Sequence, residues 1–360
     1  MIPIYKPYIP EKSVEYATDA IRSSWISSIG KYIEAATDRL QTIMGCKYVI
    51  LLNNGTSATH LVAKALKIQH PEVKRVLVPS ACYVTAYNSL IYDGADQWEV
   101  SCVDLDRNTW NMNIQSVSDG DAIFALHNFG NIINIPELKR RFNCPVIEDN
   151  CEGFFGTHEG VSSGTESLCS SMSFFGNKNI TCGEGGAFMT NDESIFKYMS
   201  KVRGQGQTER RYVHDVLGYN YRMTNVQAAL LLGQIEELEY IKRNKTRVFE
   251  RYRRNLLGVD GVALQQETPN TQHSMWMFGV RFKGLTNYDH ANKFFAAAGI
   301  ETRPMFYPYT IHSHLSFDGC DTVATELNRS VVIFPSFPEL TDEQIDTICE
   351  CILRFSTVRN

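Results

Sequence analysis

The chain has 360 residues, 43% of them hydrophobic, and a formal charge of −5 at pH 7. That length supports one large core or a large and a small domain, and the dispersed acidity, with no basic run, argues against nucleic acid or anionic lipid as a partner. No 18-residue apolar run occurs and the N-terminus MIPIYKPYIPEKSVEY lacks a signal peptide's apolar stretch, so a soluble cytoplasmic protein with no membrane partner is expected.

In chain order, YVILL (48–52) reads as a strand and SATHLVAKALK (57–67) as a helix. VKRVLVP (73–79) is a strand, TAYNSLIYDG (85–94) a helix ended by glycine, and WEVSCVD (98–104) a strand. AIFALHN (122–128) is a strand, IPELKRRF (135–142) a helix and CPVIED (144–149) a strand, with SMSFF and GGAFMT as two more. Alternating strands and helices predict an α/β fold with a mostly parallel sheet covered on both faces, whose ligands sit at the carboxyl ends of the strands. From residue 225, NVQAALLLGQIEELEYIKRNKTRVFERYRRN reads as one long bridging helix. Beyond it come a strand (MFGVRFKG), a helix (DHANKFFAAAG), a strand (VVIFPSF) and a closing helix with Ile345, Ile348, Ile352 and Phe355 on one face. This pattern divides the chain into a large domain over 1–245, N-terminal arm included, and a smaller α+β domain over 246–360. Ten cysteines are scattered without a CxxC. The one close pair, Cys349 and Cys351, is poorly spaced for a metal on a helix, so the cysteines read as small buried hydrophobes in a reducing compartment, with no metal site.

SFFGNKNITCGEGG (173–186) sets one lysine, Lys178, after two aromatics and before three glycines. Asp149 ends a buried strand at the ligand edge, where a buried carboxylate needs a cationic partner such as a protonated ring nitrogen. NNGTSATH (53–60) follows a strand and opens a helix, so backbone N–H groups form an anion site that Gly55 lets a ligand approach, with hydroxyls from Thr56 and Ser57. Ser173, on the strand that delivers Lys178, is a second phosphate donor, and Tyr83 is an aromatic at a strand end that can stack on a flat ring. Singly, each has a plain structural explanation: a loop lysine, a turn acid, a helix cap, a core aromatic. Together they ask for a ligand with an anionic tail, a flat ring, a basic ring nitrogen and an aldehyde. Pyridoxal 5′-phosphate (PLP) has all four, and a lysine Schiff base with an acid at the pyridine nitrogen is its expected setting.

With SSWISSIGKYIE, NNGTSATH, VIEDNCEGF, SFFGNKNITCGEGGAFMTND, RGQG, HDVLGYNYRMTN and GIETRPMFYP in view, the sequence resembles the DegT/DnrJ/EryC1/StrS sugar-nucleotide aminotransferases over nearly its whole length. SFFGNK, RGQG and HDVLGYNYRMTN are most similar to the branch containing the GDP-perosamine synthases. The resemblance implies the aspartate-aminotransferase (type I) fold with a seven-stranded type of sheet. It implies transfer of the amino group of L-glutamate to C4 of a nucleotide-linked 4-keto-6-deoxy sugar by ping-pong chemistry, with pyridoxamine phosphate as the intermediate cofactor form. Lys178 would form the Schiff base and move the proton, Asp149 would pair with the ring nitrogen, Tyr83 would stack on the ring, and Thr56, Ser57 and Ser173 would hold the phosphate. Asn220 would reach the phosphate of the neighbouring subunit, making the working unit a homodimer with shared sites. Glu152 stands where many relatives carry Gln or His beside the cofactor, and matches the perosamine branch. Trp25, Ser27, Arg303 and Tyr307 lie in blocks that approach the sugar nucleotide.

The sequence departs from the pattern at Thr310, where relatives often have histidine, at Val213 before His214, and in SSGTESLCSS, which lacks the usual Gly-Asp. GDP, UDP and dTDP sugars, including a viosamine-type substrate, stay open at this point. So do 3-keto amination and a non-catalytic PLP-binding sensor.

Overall fold

A computed structural model describes residues 1–117 and 121–357. The main sheet takes seven strands from residues 48–190: β1 (Tyr48–Leu52), β2 (Arg75–Pro79), β3 (Glu99–Val103), β4 (Ala122–Leu126), β5 (Val146–Asp149), β6 (Ser170–Ser173) and β7 (Gly186–Thr190). Their spatial order is β1-β7-β6-β5-β4-β2-β3, and a two-residue strand, Asp318–Gly319, extends the β3 edge. β7 is antiparallel to both β1 and β6, whereas every pairing from β6 through β3 is parallel. The sheet is therefore mostly parallel, and β1, β2, β4, β5 and β6 all point their carboxyl ends at one edge.

Helices cover both faces, as a parallel sheet requires. On one side lie α3 (Gly55–Gln69), α4 (Thr85–Ser89) and α6 (Glu193–Arg203), whose apolar residues join Val76, Val78, Phe124 and Phe188 in one core cluster. On the other, α1 (Glu11–Arg22), α2 (Lys31–Met44) and α7 (Asn225–Glu236) pack with Val49, Leu51, Met172 and Ala187. Local sequence places their ends. Asn54 caps α3 by accepting from the Ser57 N–H, worth about 1 kcal/mol for a cap of this kind. Thr224 and Gln227 form a reciprocal capping box at the start of α7. α5 (Ile135–Phe142) matches its predicted span, with Asn134 as N-cap and Pro136 in the first turn.

Two expected helices differ. The one predicted over 85–94 stops at Ser89. Leu90, Ile91 and Gly94 each donate to the carbonyl three residues back, so the chain tightens into 3₁₀-like turns. The single helix expected from residue 225 is two, α7 and α8 (Leu238–Leu256), broken at Glu237 (φ −105°, ψ 18°). No proline or glycine marks that break. What changes there is the environment: α7 is buried nearly all round, whereas α8 is amphipathic.

α8 runs through residue 245 and packs on a second sheet of β8 (Val262–Leu264), β9 (Phe278–Phe282), β10 (Arg303–Pro304) and β11 (Val331–Phe334). This sheet is antiparallel throughout, in the order β8-β9-β11-β10. Also packed against it are α9 (Tyr288–Ala297) and α11 (Asp342–Thr357), while α10 (Thr322–Ser330) leads into β11. The N-terminal arm joins this second unit: Ile2 bridges Ile300, and the Ile4 N–H donates to Glu301. All ten cysteines are free thiols. Seven are buried as expected, Cys144 and Cys151 are half-buried, and Cys320 is exposed, so it is not a core hydrophobe.

Candidate active site

A cavity of about 580 Å³ opens at the carboxyl edge of the main sheet. Successive strand ends feed it: Asn54 to Thr56 after β1, Cys82 and Tyr83 after β2, His127 to Phe129 after β4, Asp149 at the end of β5, and Ser173 to Lys178 after β6. The second unit closes it with Trp276, Met277 and residues 303–307.

At one end, the α3 N-terminus meets Ser173. Gly55 and Thr56 are the first two helical residues, so their N–H groups have no partner within the helix and point outward. A Cβ on Gly55 would lie 2.8 Å from both Cβ and Oγ of Ser173, and one on Gly186 would lie 2.4 Å from the Asn54 carbonyl oxygen. Only glycines allow this approach, and the result is a cradle of backbone N–H groups and hydroxyls suited to a phosphate. Ser57 is buried beside it. Its N–H serves the Asn54 cap and its hydroxyl donates to Asn53 Oδ1 at 2.8 Å, and it does not line the cavity.

The glycine-rich stretch around Lys178 is firmly held. The Lys178 N–H donates to the Phe175 carbonyl, and Tyr5 donates its hydroxyl to the Lys178 carbonyl at 2.9 Å. Buried Asn179 donates to the Phe154 and Ser274 carbonyls. The side chain is thereby aimed into the cavity, its Nζ 3.9 Å from the centre of the Trp276 ring and 4.0 Å from Glu152 Oε1. The Glu152 side chain is 10% exposed, and its Oε2 accepts from the Phe129 N–H at 2.7 Å. Burial pushes its carboxyl up to about 8, against the opposing pull of Lys178 and the Phe129 N–H.

Asp149 is 7% exposed. Its Oδ1 accepts from the Cys151 N–H at 3.0 Å and the Ser171 hydroxyl at 3.3 Å, and Ser171 in turn accepts from Thr59. Among the described residues no hydrogen bond reaches its Oδ2 and no basic group pairs with it. Next to it, Glu148 turns inward to a buried histidine. The Ile133 N–H donates to His127 Nδ1, so Nε2 carries the proton and donates to Glu148 Oε1 at 3.0 Å.

Tyr83 lines the mouth, 58% exposed, its ring 6.0 Å from Phe306. Arg303, paired with Glu301 at 2.6 Å, and half-exposed Tyr307 line the same rim. Trp25, Ser27 and Asn220 are exposed and outside the cavity of a single chain. The Trp25 and Ser27 carbonyls accept from Asn225 at the start of α7, and Asn220 bridges Gly204. Thr310 donates to Asp321.

Sequence reasoning passed over the aromatic wall. Phe129 stacks on Phe306 at 4.6 Å and on Trp276 at 6.0 Å. Phe129 follows a predicted strand, so its place at the ligand edge was available as a signal. Trp276 and Phe306 arrive from the second unit, and nothing local announces them.

These residues fit PLP: an N–H and hydroxyl cradle for an anion, a buried carboxylate without a cation, and a lysine directed into the same cavity. Comparison with known proteins agrees. The DegT/DnrJ/EryC1/StrS aminotransferase family matches residues 7–353. A GDP-perosamine synthase of Escherichia coli O157:H7 is 35% identical, covering 98% of each chain, and that of Caulobacter vibrioides is 34% identical, covering 96% of each. Among solved structures, an E. coli GDP-4-keto-6-deoxy-D-mannose-3-dehydratase with bound hydrated PLP superposes with a TM-score of 0.90 at 21% identity, covering 98% of this chain and 99% of that one. A match of this length and identity, on a fold and cavity of this kind, places the chain in the DegT/DnrJ/EryC1/StrS aminotransferase family of PLP-dependent enzymes.

Proposed function

We propose that this enzyme moves the amino group of L-glutamate to C4 of a nucleotide-linked 4-keto-6-deoxy sugar, with a GDP-linked 4-keto-6-deoxymannose as the substrate. The observation that carries the reading is the convergence of Lys178, Asp149 and the α3 N-terminus in one cavity. Full-length similarity to GDP-perosamine synthases supports the choice of sugar.

Bound PLP supplies the carbon that carries nitrogen between the two substrates and the ring that takes up the electron pair. The chain does the rest. The Gly55 and Thr56 N–H groups, with the Ser173 hydroxyl, hold the phosphate. Asp149, oriented by Cys151 and Ser171, holds a proton on the ring nitrogen. Lys178, once its amine is free, takes a proton from the donor carbon and returns one to the acceptor side, as general base and then general acid. Phe129, Trp276 and Phe306 line the cavity with apolar surface, and Trp276 lies against Lys178.

The working unit in this reading is a cytoplasmic homodimer, built from a large domain over 1–245 and a small one over 246–360. No helix among the described residues is long and apolar enough to cross a membrane. Trp25, Ile26, Ile29, Tyr212, Val213 and Leu217 are exposed, and Arg222 donates to Ser28, tying together the two loops that carry them. A second copy packed on these loops would bring Trp25, Ser27 and Asn220 to its partner's cavity.

The test is a multiple-turnover assay with PLP and L-glutamate, run in parallel on GDP-4-keto-6-deoxymannose and on dTDP- and UDP-4-keto-6-deoxyglucose. Amino-sugar product from the GDP substrate is expected. Product from a dTDP or UDP substrate alone would reassign the nucleotide, and product from none would overturn the reading.

A further inference from the structure

We propose that Trp276 is the docking face for the Lys178 ammonium when that lysine is off the cofactor and carries a proton, and that the buried Lys245 is the positioning residue that holds Trp276 in place. The inference rests on Lys178 being the cofactor lysine.

Lys178 Nζ sits 3.9 Å from the centre of the Trp276 ring, inside the range of a cation–π contact. The nearest carboxylate, Glu152, is 4.0 Å away, and burial shifts its carboxyl upward, toward the neutral form. The ring centre is at least as near, so the ring is a principal group facing the ammonium. A transaminase lysine must leave the cofactor in each half-reaction and stay aligned for proton transfer, so a fixed resting face has a direct use.

Trp276 is fixed from three sides. Its Nε1–H donates to the Asn177 carbonyl at 2.9 Å, one residue before the lysine it serves. Phe129 and Phe306 stack on its ring. Behind it, Lys245 of α8 donates to the Trp276 carbonyl at 2.8 Å and to the Ser336 carbonyl. Lys245 is fully buried, and among the described residues no carboxylate pairs with it. The rings of Tyr5 and Phe249 lie 5.3 and 5.5 Å from its Nζ. Both hydrogen bonds are donated, which an amine supplies in either protonation state. Burying a lysine is costly unless its hydrogen bonds are made, and here both go to backbone carbonyls. What its amine adds is a tie between α8, the Trp276 segment and the loop after β11. Tyr5, against the same amine, donates its own hydroxyl to the Lys178 carbonyl.

The test reads Lys178 itself. Full-length protein loaded with pyridoxamine 5′-phosphate, the form in which the lysine is free, is labelled with trace acetic anhydride at constant pH. Peptide mass spectrometry gives Lys178 reactivity relative to exposed Lys47. Trp276→Leu should raise it about five- to tenfold, the loss expected for a partly desolvated cation–π contact, and Trp276→Phe less than about twofold. Lys245→Met should give a rise like that of Trp276→Leu although it touches no atom of Lys178, Lys245→Arg should reverse it, and the double variant should add nothing. Unchanged labelling in Trp276→Leu overturns the proposal by itself, whatever Lys245→Met does to folding. A folded Lys245→Met protein with normal labelling overturns the positioning role. Borohydride reduction of the PLP-loaded wild type separates the two readings: a mass tag on a lysine other than Lys178 refutes the cofactor assignment instead.

Discussion

Replacing Glu152 by Gln should flatten the pH dependence of stability of the cofactor-free protein. Glu152 is mostly buried beside Phe129, and its carboxyl is raised from 4.5 to about 8, mainly by desolvation. The folded state therefore holds a proton that the unfolded chain gives up near 4.5. Between those two values the native state binds more protons, so stability falls as pH rises. The contribution is fully present below about 4.5 and gone above about 8. Across that window the wild type should lose roughly 4–5 kcal/mol from this one group, at 1.36 kcal/mol per pH unit. Glutamine keeps the size and an acceptor for the Phe129 N–H, but has no proton to lose. Urea unfolding of both proteins at pH 5, 6, 7 and 8 would show the wild type weakening toward alkaline pH and Glu152→Gln weakening by several kcal/mol less. Parallel curves would refute the reasoning, because they would mean that Glu152 is ionised in the folded protein across the whole range.

Asp149→Asn should lower turnover about a thousandfold or more, roughly 4 kcal/mol, with PLP still bound, because the amide cannot keep the ring nitrogen protonated. Stopped-flow half-reactions with glutamate would check it. Gly55→Ala should weaken PLP retention by about 1–3 kcal/mol, because its Cβ would overlap Ser173 at 2.8 Å; equilibrium dialysis measures it, and Ala58→Gly in the same helix should leave retention near normal. Mixing inactive Lys178→Ala and Asn220→Ala subunits should restore about a quarter of wild-type activity if sites are shared across a two-fold dimer. No recovery after subunit exchange would place Asn220 in its own chain's site, and an active Asn220→Ala protein would place it outside any site.

The sequence alone carried the strand–helix alternation of the main sheet, because period and propensity act over a few residues. It marked Lys178, Asp149 and the Gly55–Ser57 turn for the same reason: each lies at a strand end, and the carboxyl edge of a parallel sheet is where ligands bind. What it could not carry depends on distant packing. The break at Glu237 follows from α7 being enclosed on all sides while α8 is not. Ser57 is the local exception: Asn53 and Asn54, four and three residues before it, claim its hydroxyl and N–H, which residue type alone did not decide. Above all, the face beneath Lys178 is built by Trp276 and Phe306, about 100 residues or more downstream, and is tied by Lys245 from a third element. Local pattern names the groups that do chemistry, whereas the environment that sets their charge and position comes from chain segments that meet only when the whole molecule folds.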